Sequence, residues 1–234
     1  MKKFLFTTVF MAISTIANAQ TMNIHLKSGQ SVEYPVEKVD YIDFSEETED
    51  PPITVGDAVD LGLSVKWASC NVGASKPEEY GYYYAWGETS PKNTYDESNY
   101  AFYDYNKQQY IDIGKDISGT QYDAATANLG GDWRMPRESE IDELITKCSW
   151  EWTQINGING YVIKGSNGNS IFLPAAGNCA GTIIGNSAQK YVWYSSSELY
   201  EPGFAWCISA SSTSIYNLTH EIYRGYPVRA VTSK

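Results

Sequence analysis

Residues 129–150 read LGGDWRMPRESEIDELITKCSW, and the reading of this stretch decides the fold class. Gly130 and Gly131 mark a turn, Trp133 is expected to be buried, and Pro136 is a helix start signal. Ile141, Leu144, Ile145 and Cys148 then fall at i, i+3, i+4 and i+7, a single apolar stripe at helical period. Glu138, Glu140, Asp142 and Glu143 crowd the first turns and Lys147 sits in the last, which suits the helix dipole. Burying Ile141, Leu144 and Ile145 is worth roughly 1.5–3 kcal/mol each, as an upper bound. The stretch predicts a turn and then an amphipathic helix docked on a core.

Working outward, Asp123 is placed to N-cap a short helix through Ala127 that Gly130 closes. Further upstream, VDLGLSVKWASCNVG predicts a strand through Leu63, Val65 and Trp67, ending at Gly73. Residues 80–113 are rich in tyrosine without helical or strand period, and YGYYYAWGETSPKNTY reads as a long loop packed by its own side chains. Downstream come short β-type runs at Tyr161–Ile163, Ile171–Leu173, Tyr191–Ser195, Phe204–Ile208 and Pro227–Val231, punctuated by Gly, Asn and Ser. Two helices among many short strands make residues 57–234 an α+β domain, long enough for one core burying about 70% of the unfolded chain's surface.

The N-terminal segments read differently. Residues 1–19 have the form of a signal peptide: Lys2 and Lys3, an apolar run from Phe4 to Ile16, and a small-residue site at Ala17-Asn18-Ala19. That run is too short and interrupted for a membrane span, and no later segment approaches that length. Residues 20–44 alternate through Met22, Ile24 and Leu26, turn at Ser28-Gly29, and resume at Val32, Tyr34 and Val36, a β-hairpin signal that Val39, Ile42 and Phe44 extend. Residues 45–56, with the acidic run SEETEDPP, read as a linker.

The formal net charge is −11, and removing the leader takes away two lysines and no acid. Such a chain argues against binding nucleic acid or anionic membranes, which need clustered Lys and Arg. Export permits disulfides, and Cys70, Cys148, Cys179 and Cys207 allow three pairings. No C-x-x-C spacing supports a cysteine zinc site, and no metal or cofactor is expected.

VDLGLSVKWASCNVG, YAWGET, GGDWRMPRESEIDEL, GNSIFLPAAG, the WYSSS run and the closing GYPVRAV occur in the order found in the Fibrobacter succinogenes major paralogous domain family. The resemblance spans nearly all of residues 57–234. It implies a C-type-lectin-like fold, more distantly similar to formylglycine-generating enzymes. The hairpin MNIHLKSGQSVEYPVEKVDYIDF resembles the short N-terminal module of many exported Bacteroidetes proteins, which implies a periplasmic, cell-surface or secreted protein. Cys70 and Cys148 stand where relatives often carry cysteines, so the resemblance favours pairing them and leaves Cys179 and Cys207 for a second disulfide. Where members often have Thr after the Pro of the RMP segment, this chain has Arg137, so a Thr-based capping box is absent.

Catalytic and metal motifs are sparse. Glu201-Pro202-Gly203 is the nearest match to a lectin calcium loop, but Gly203 brings no side-chain oxygen and no Trp-Asn-Asp follows, so a turn between strands is expected. His25 and His220 cannot form a three-histidine site. Ser195-Ser196-Ser197 lacks the Gly flanks of a nucleophile elbow, and His220 has no evident orienting partner. Asp112 and Asp116 read as solvated loop acids. Paired carboxylates for glycoside hydrolysis are represented by Glu198 and Glu221.

Residues 191–226 are dense in Tyr, Trp, Ser and Asn, a composition shared with antibody paratopes. The expected ligand face comprises Tyr194, Glu198, Tyr200, Trp206, Tyr216, Asn217, Tyr223 and Arg224, with Trp193 and Trp206 open between core and contact. The expected function is an exported, non-catalytic binding or adhesion module for a glycan or surface protein. The alternatives are a structural component of a surface assembly, joined through residues 21–44, and a carbohydrate-active hydrolase.

Overall fold

The computed structural model describes residues 57–234 and, as backbone, two further strands. These are β1 (Thr21–His25) and β2 (Ser31–Pro35), which pair antiparallel with Met22 opposite Tyr34 and Ile24 opposite Val32. The leader, the turn at Ser28-Gly29, the extension through Val39, Ile42 and Phe44, and the acidic linker lie outside the described residues.

Residues 57–234 form an α+β unit of short antiparallel strands with two helices. It opens with β3 (Ala58–Asp60) and β4 (Lys66–Ala68), then β5 (Tyr83–Tyr84) and the small hairpin β6 (Tyr103–Asp104) and β7 (Gln109–Tyr110). Helices α1 (Ala124–Leu129) and α2 (Glu138–Lys147) follow. The meander β8 (Ser149–Ile155), β9 (Ile158–Lys164) and β10 (Ser170–Pro174) leads to the pair β11 (Asn178–Ala180) and β12 (Ile183–Asn186). A second meander joins β13 (Val192–Glu201), β14 (Phe204–Ser211) and β15 (Ser214–Glu221). Finally β16 (Tyr226–Pro227) pairs with β5, and β17 (Val231–Thr232) with β4, so the last segment closes onto the first.

The helix expected from the opening stretch is present. Ile141 and Leu144 are fully buried and pack with Trp67, Tyr161, Leu173 and Ile208, while Ile145 and Cys148 flank the same cluster. The shorter helix also forms as its sequence predicts. Asp123 accepts from the Ala125 and Thr126 N–H groups, and its other oxygen accepts from Gly119 and Met135 at 2.8 and 2.9 Å. A fully buried carboxylate is thus satisfied by four backbone donors. Trp133 is only half-buried, at the margin of a second cluster built on Trp86, Tyr95, Tyr100, Ile117 and Val228.

Several strands differ from their sequence reading. Leu63 and Val65 are buried, but in an irregular bend before β4. Residues 227–231, expected as one strand, are split between β16 and β17 because Arg229 turns into the core with no exposed surface. Its Nε donates to Asn71 Oδ1 at 2.9 Å, and its guanidinium nitrogens donate to the carbonyls of Ala68, Ser69 and Phe172 at 2.7–2.9 Å. No carboxylate pairs with it among the described residues, and burial draws its pKa downward. Four acceptors from two chain segments, residues 68–71 and Phe172, stand in place of a counter-ion, so this side chain knits the C-terminal segment to the end of β4 and to β10.

Candidate functional site

One cleft of about 330 Å³ lies between the segment that follows β7 and the turn joining β13 to β14. Trp86, Tyr100 and Ile222, each 3% exposed, close its floor. Tyr110, Ile111 and Ile113 form one wall, Leu199, Tyr200 and Pro202 the other. Ile111 and Tyr200 are about half exposed, at 47% and 56%. Asp112, Lys115 and Glu201, all exposed, stand around the apolar lining. A mostly apolar concavity with a few polar groups is the usual form of a small-ligand site, and this one is at the lower end of the roughly 300–1,000 Å³ range.

The cleft is held by contacts that the sequence explains. Tyr100 donates to the Trp86 carbonyl at 2.7 Å, and Tyr110 donates to Glu97 Oε1 at 2.6 Å. Burial, and then Glu97, push the Tyr110 phenol well above its usual pKa, so it stays a donor. Gly203 has φ +92°, and a Cβ there would lie 2.7 Å from the Tyr110 ring. Glycine is therefore required both for the turn and for the approach of the two walls. Glu201-Pro202-Gly203 is the expected turn between strands, and it also lines the cleft. Leu199 N–H donates to the Lys115 carbonyl and Ile117 N–H to the Ser197 carbonyl, so the two walls are joined along the backbone. Trp86 Nε1 is enclosed without a hydrogen-bond acceptor among the described residues, at a cost of about 1–3 kcal/mol.

Of the ligand face expected from sequence, only Tyr200 lines this cleft. Trp206 is half-buried behind it, edge-on to the Tyr200 ring at 5.0 Å, and supports that ring. Tyr194, expected on the surface, is 1% exposed. Strand alternation points it with Val192 and Ile208 towards Ile141 and Leu144. Its hydroxyl accepts from Asn71 and donates to the Pro174 carbonyl, and burial raises its pKa to about 12. Tyr216 is 55% exposed but sits within β15, away from the cleft lining. Tyr223 packs, partly buried, against the cluster built on Trp86, Tyr95 and Tyr100, and Arg224 pairs with Glu221 at 3.2 Å.

Glu198 and Asn217 serve the helix. An arginine side chain has no acceptor, so Arg137 cannot cap α2 as a threonine would. Glu140 Oε2 accepts from the Arg137 N–H at 2.8 Å, and Glu198 reaches across from β13 to accept from the Glu138 N–H at 2.6 Å. Asn217 donates to Glu138 Oε1 at 2.7 Å. Asp116 is no solvated loop acid: it accepts from Arg137 Nε, Ser197 Oγ and Ser118 N–H at 2.8–2.9 Å. Burial opposes its ionisation, but Arg137 and the other donors outweigh that and lower its pKa. Both acids named for hydrolysis, Glu198 and Glu221, are thus engaged within the fold.

Ser195 and His220 do meet, Oγ to Nε2 at 3.1 Å, with His220 Nδ1 against the Glu221 carbonyl and its ring 3.8 Å from that of Tyr226. Both are 2% exposed, and neither lines the cleft. Burial drops the His220 pKa to about 4, which makes the pair a neutral core hydrogen bond.

The four cysteines are free thiols, which corrects the expected disulfides. Cys207 stands in register between Ser195 and Leu218, and Cys179 bridges to Gly225, so neither meets a second sulfur. Burial raises the Cys179 pKa to about 11 and that of Cys207 further. Cys70 is buried, and Cys148 ends α2.

The lining that sequence reasoning missed comes from the tyrosine-rich loop: Trp86, Tyr110, Ile111, Asp112, Ile113 and Lys115. The available signal was the run YIDIGK at residues 110–115, whose two isoleucines belong to no helical or strand pattern in the sequence. Among the described residues, no cluster of His, Cys, Asp or Glu is placed to hold a metal ion, and no helix is long and apolar enough to cross a membrane. No family model, curated protein or solved structure matches the chain.

Proposed function

We propose that the protein is an exported, non-catalytic binding module of C-type-lectin-like architecture, taking a glycan or surface-protein ligand in the cleft between residues 110–115 and the β13–β14 turn. The observation that carries this reading is the cleft itself: apolar walls with an exposed tyrosine, polar groups at the rim, and a buried floor. It moves the contact surface from the expected face to a site that shares Tyr200 with it. Asp112 and Glu201 are the two carboxylates of the site. Both are exposed, and Asp112 already accepts from the Gly114 N–H, an arrangement suited to holding a ligand.

The test passes the purified protein over glycan and surface-protein panels, with and without a calcium chelator. Chelator-insensitive binding that Tyr200→Ala abolishes supports the reading. Release of reducing sugar, lost in Asp112→Asn or Glu201→Gln, makes the protein a hydrolase instead. A second reading, an assembly component, is favoured by the β1–β2 hairpin, a two-stranded sheet in which neither strand pairs with a third among the described residues. Two strands alone are marginal in water, and strand addition would complete them. Loss of assembly on deleting residues 20–50, with cleft binding intact, identifies that role.

A further inference from the structure

Resting on the cleft as the ligand site, we propose that its occupant is the ring of a neutral saccharide, recognised without a metal. The rim carries two carboxylates, Asp112 and Glu201, and one ammonium, Lys115, around the exposed ring of Tyr200 and the side chains of Ile111 and Pro202. None of the three rim charges is committed to an ion pair within the described residues. Their mixture discriminates between ligand classes. An anionic ligand meets two carboxylates against one lysine, in a chain of net charge −11. A cationic ligand meets Lys115 within the same small opening. A wholly apolar ligand covers three charged groups and offers them no hydrogen bond, a desolvation cost with no return. A sugar ring satisfies both kinds of group: its hydroxyls donate to the carboxylates and accept from the ammonium, as charge-assisted bonds. Its C–H face lies against the Tyr200 ring, which Trp206 holds edge-on from behind. The cleft's volume is at the low end for a small-ligand site, which fits the end of a chain better than a long segment of it.

The experiment is isothermal calorimetry of the full chain with cellotriose, xylotriose, maltotriose and mannotriose, and with trigalacturonic acid as the anionic counterpart. At least one neutral trisaccharide is expected to bind, at least tenfold more weakly to Tyr200→Ala, with no change on adding chelator. Trigalacturonic acid is expected not to bind the wild type and to gain binding in Asp112→Asn/Glu201→Gln. Tyr200 is largely exposed, so its variant should melt like the wild type, and thermal melting checks this. Equal or better binding of trigalacturonic acid, no binding of any neutral trisaccharide, or indifference to Tyr200→Ala overturns the proposal. If a protein from the wider panel binds in a Tyr200-dependent way while the sugars do not, the saccharide fails and the cleft stands. If nothing depends on Tyr200, both fail.

Discussion

Two stretches of this chain are rich in tyrosine, and they use the residue in opposite ways. Residues 80–113 have little regular structure, yet Tyr83, Tyr84, Tyr95 and Tyr100 are buried. Three of their hydroxyls act on backbone: Tyr83 donates to the Ala176 carbonyl, Tyr95 to that of Tyr83, and Tyr100 to that of Trp86, at 2.5–2.7 Å. A loop can be buried only if its carbonyls find donors, and here tyrosines supply two of them, at Tyr83 and Trp86. Residues 192–221 are an antiparallel meander in which backbone pairing is supplied mainly by the sheet, with register shifts between Ser195 and Glu201. Strand alternation sorts Tyr194 inward and Tyr216 outward, whereas Tyr200, an even number of positions from Tyr194, is exposed beyond the register shifts near the end of β13. The same residue is a scaffold in the loop and, at a few positions, a surface in the sheet.

The largest expected effect breaks the scaffold. Tyr100→Ala removes a buried ring and its bond to the cleft floor, and should cost about 3–5 kcal/mol in urea unfolding. Tyr200→Ala should change stability by less than about 0.5 kcal/mol, as a surface substitution. Comparable losses at both positions would erase the distinction.

Next is the polar pair inside the meander. His220 titrates at about 4 in the fold and near 6.5 when unfolded. Above pH 6.5 it is neutral in both states and contributes nothing to the pH dependence. As pH falls from 6.5 towards 4 the unfolded chain takes up a proton that the fold refuses, and stability drops by about 3 kcal/mol. Unfolding curves at pH 7 and pH 4.5 measure this, and His220→Phe should flatten the difference in that window.

Gly203→Ala sharpens the comparison where the two stretches touch. The added Cβ meets the Tyr110 ring and forces an alanine to φ +92°. The strain is worth about 1–2 kcal/mol, and the cleft walls must part, so ligand binding should weaken along with stability. An unchanged affinity would place the ligand elsewhere.

The scaffold was more legible in the sequence than the site. Helix α2 followed from a 3.6-residue stripe and α1 from Asp123 and Gly130, because local periodicity and caps are written in neighbouring residues. Residues 214–221 concealed β15 because Ser, Asn and Thr alternate there with Tyr and Leu, a pattern as typical of loops as of edge strands. The cleft depends on residues 86, 110–115 and 199–203 converging, and no local pattern encodes that meeting. Composition located the tyrosines of residues 191–226, but composition alone cannot assign a strand's two faces when no single register is known.

Glu198 is the residue at which the two readings of the meander part most cleanly, and its expected effect is the smallest. As a ligand contact, its loss would weaken binding and leave the fold unchanged. As the acceptor for the Glu138 N–H, it supplies the cap that Arg137 cannot. Removing an N-terminal cap costs about 1 kcal/mol. Glu198→Ala should therefore lower the unfolding free energy measured in urea by that amount, while Glu198→Gln, which keeps an acceptor oxygen, should cost less. Binding in the cleft should survive both, since Glu198 does not line it. A Glu198→Ala protein of wild-type stability that no longer binds would return the ligand to the outer face of β13–β15 and make the cleft incidental.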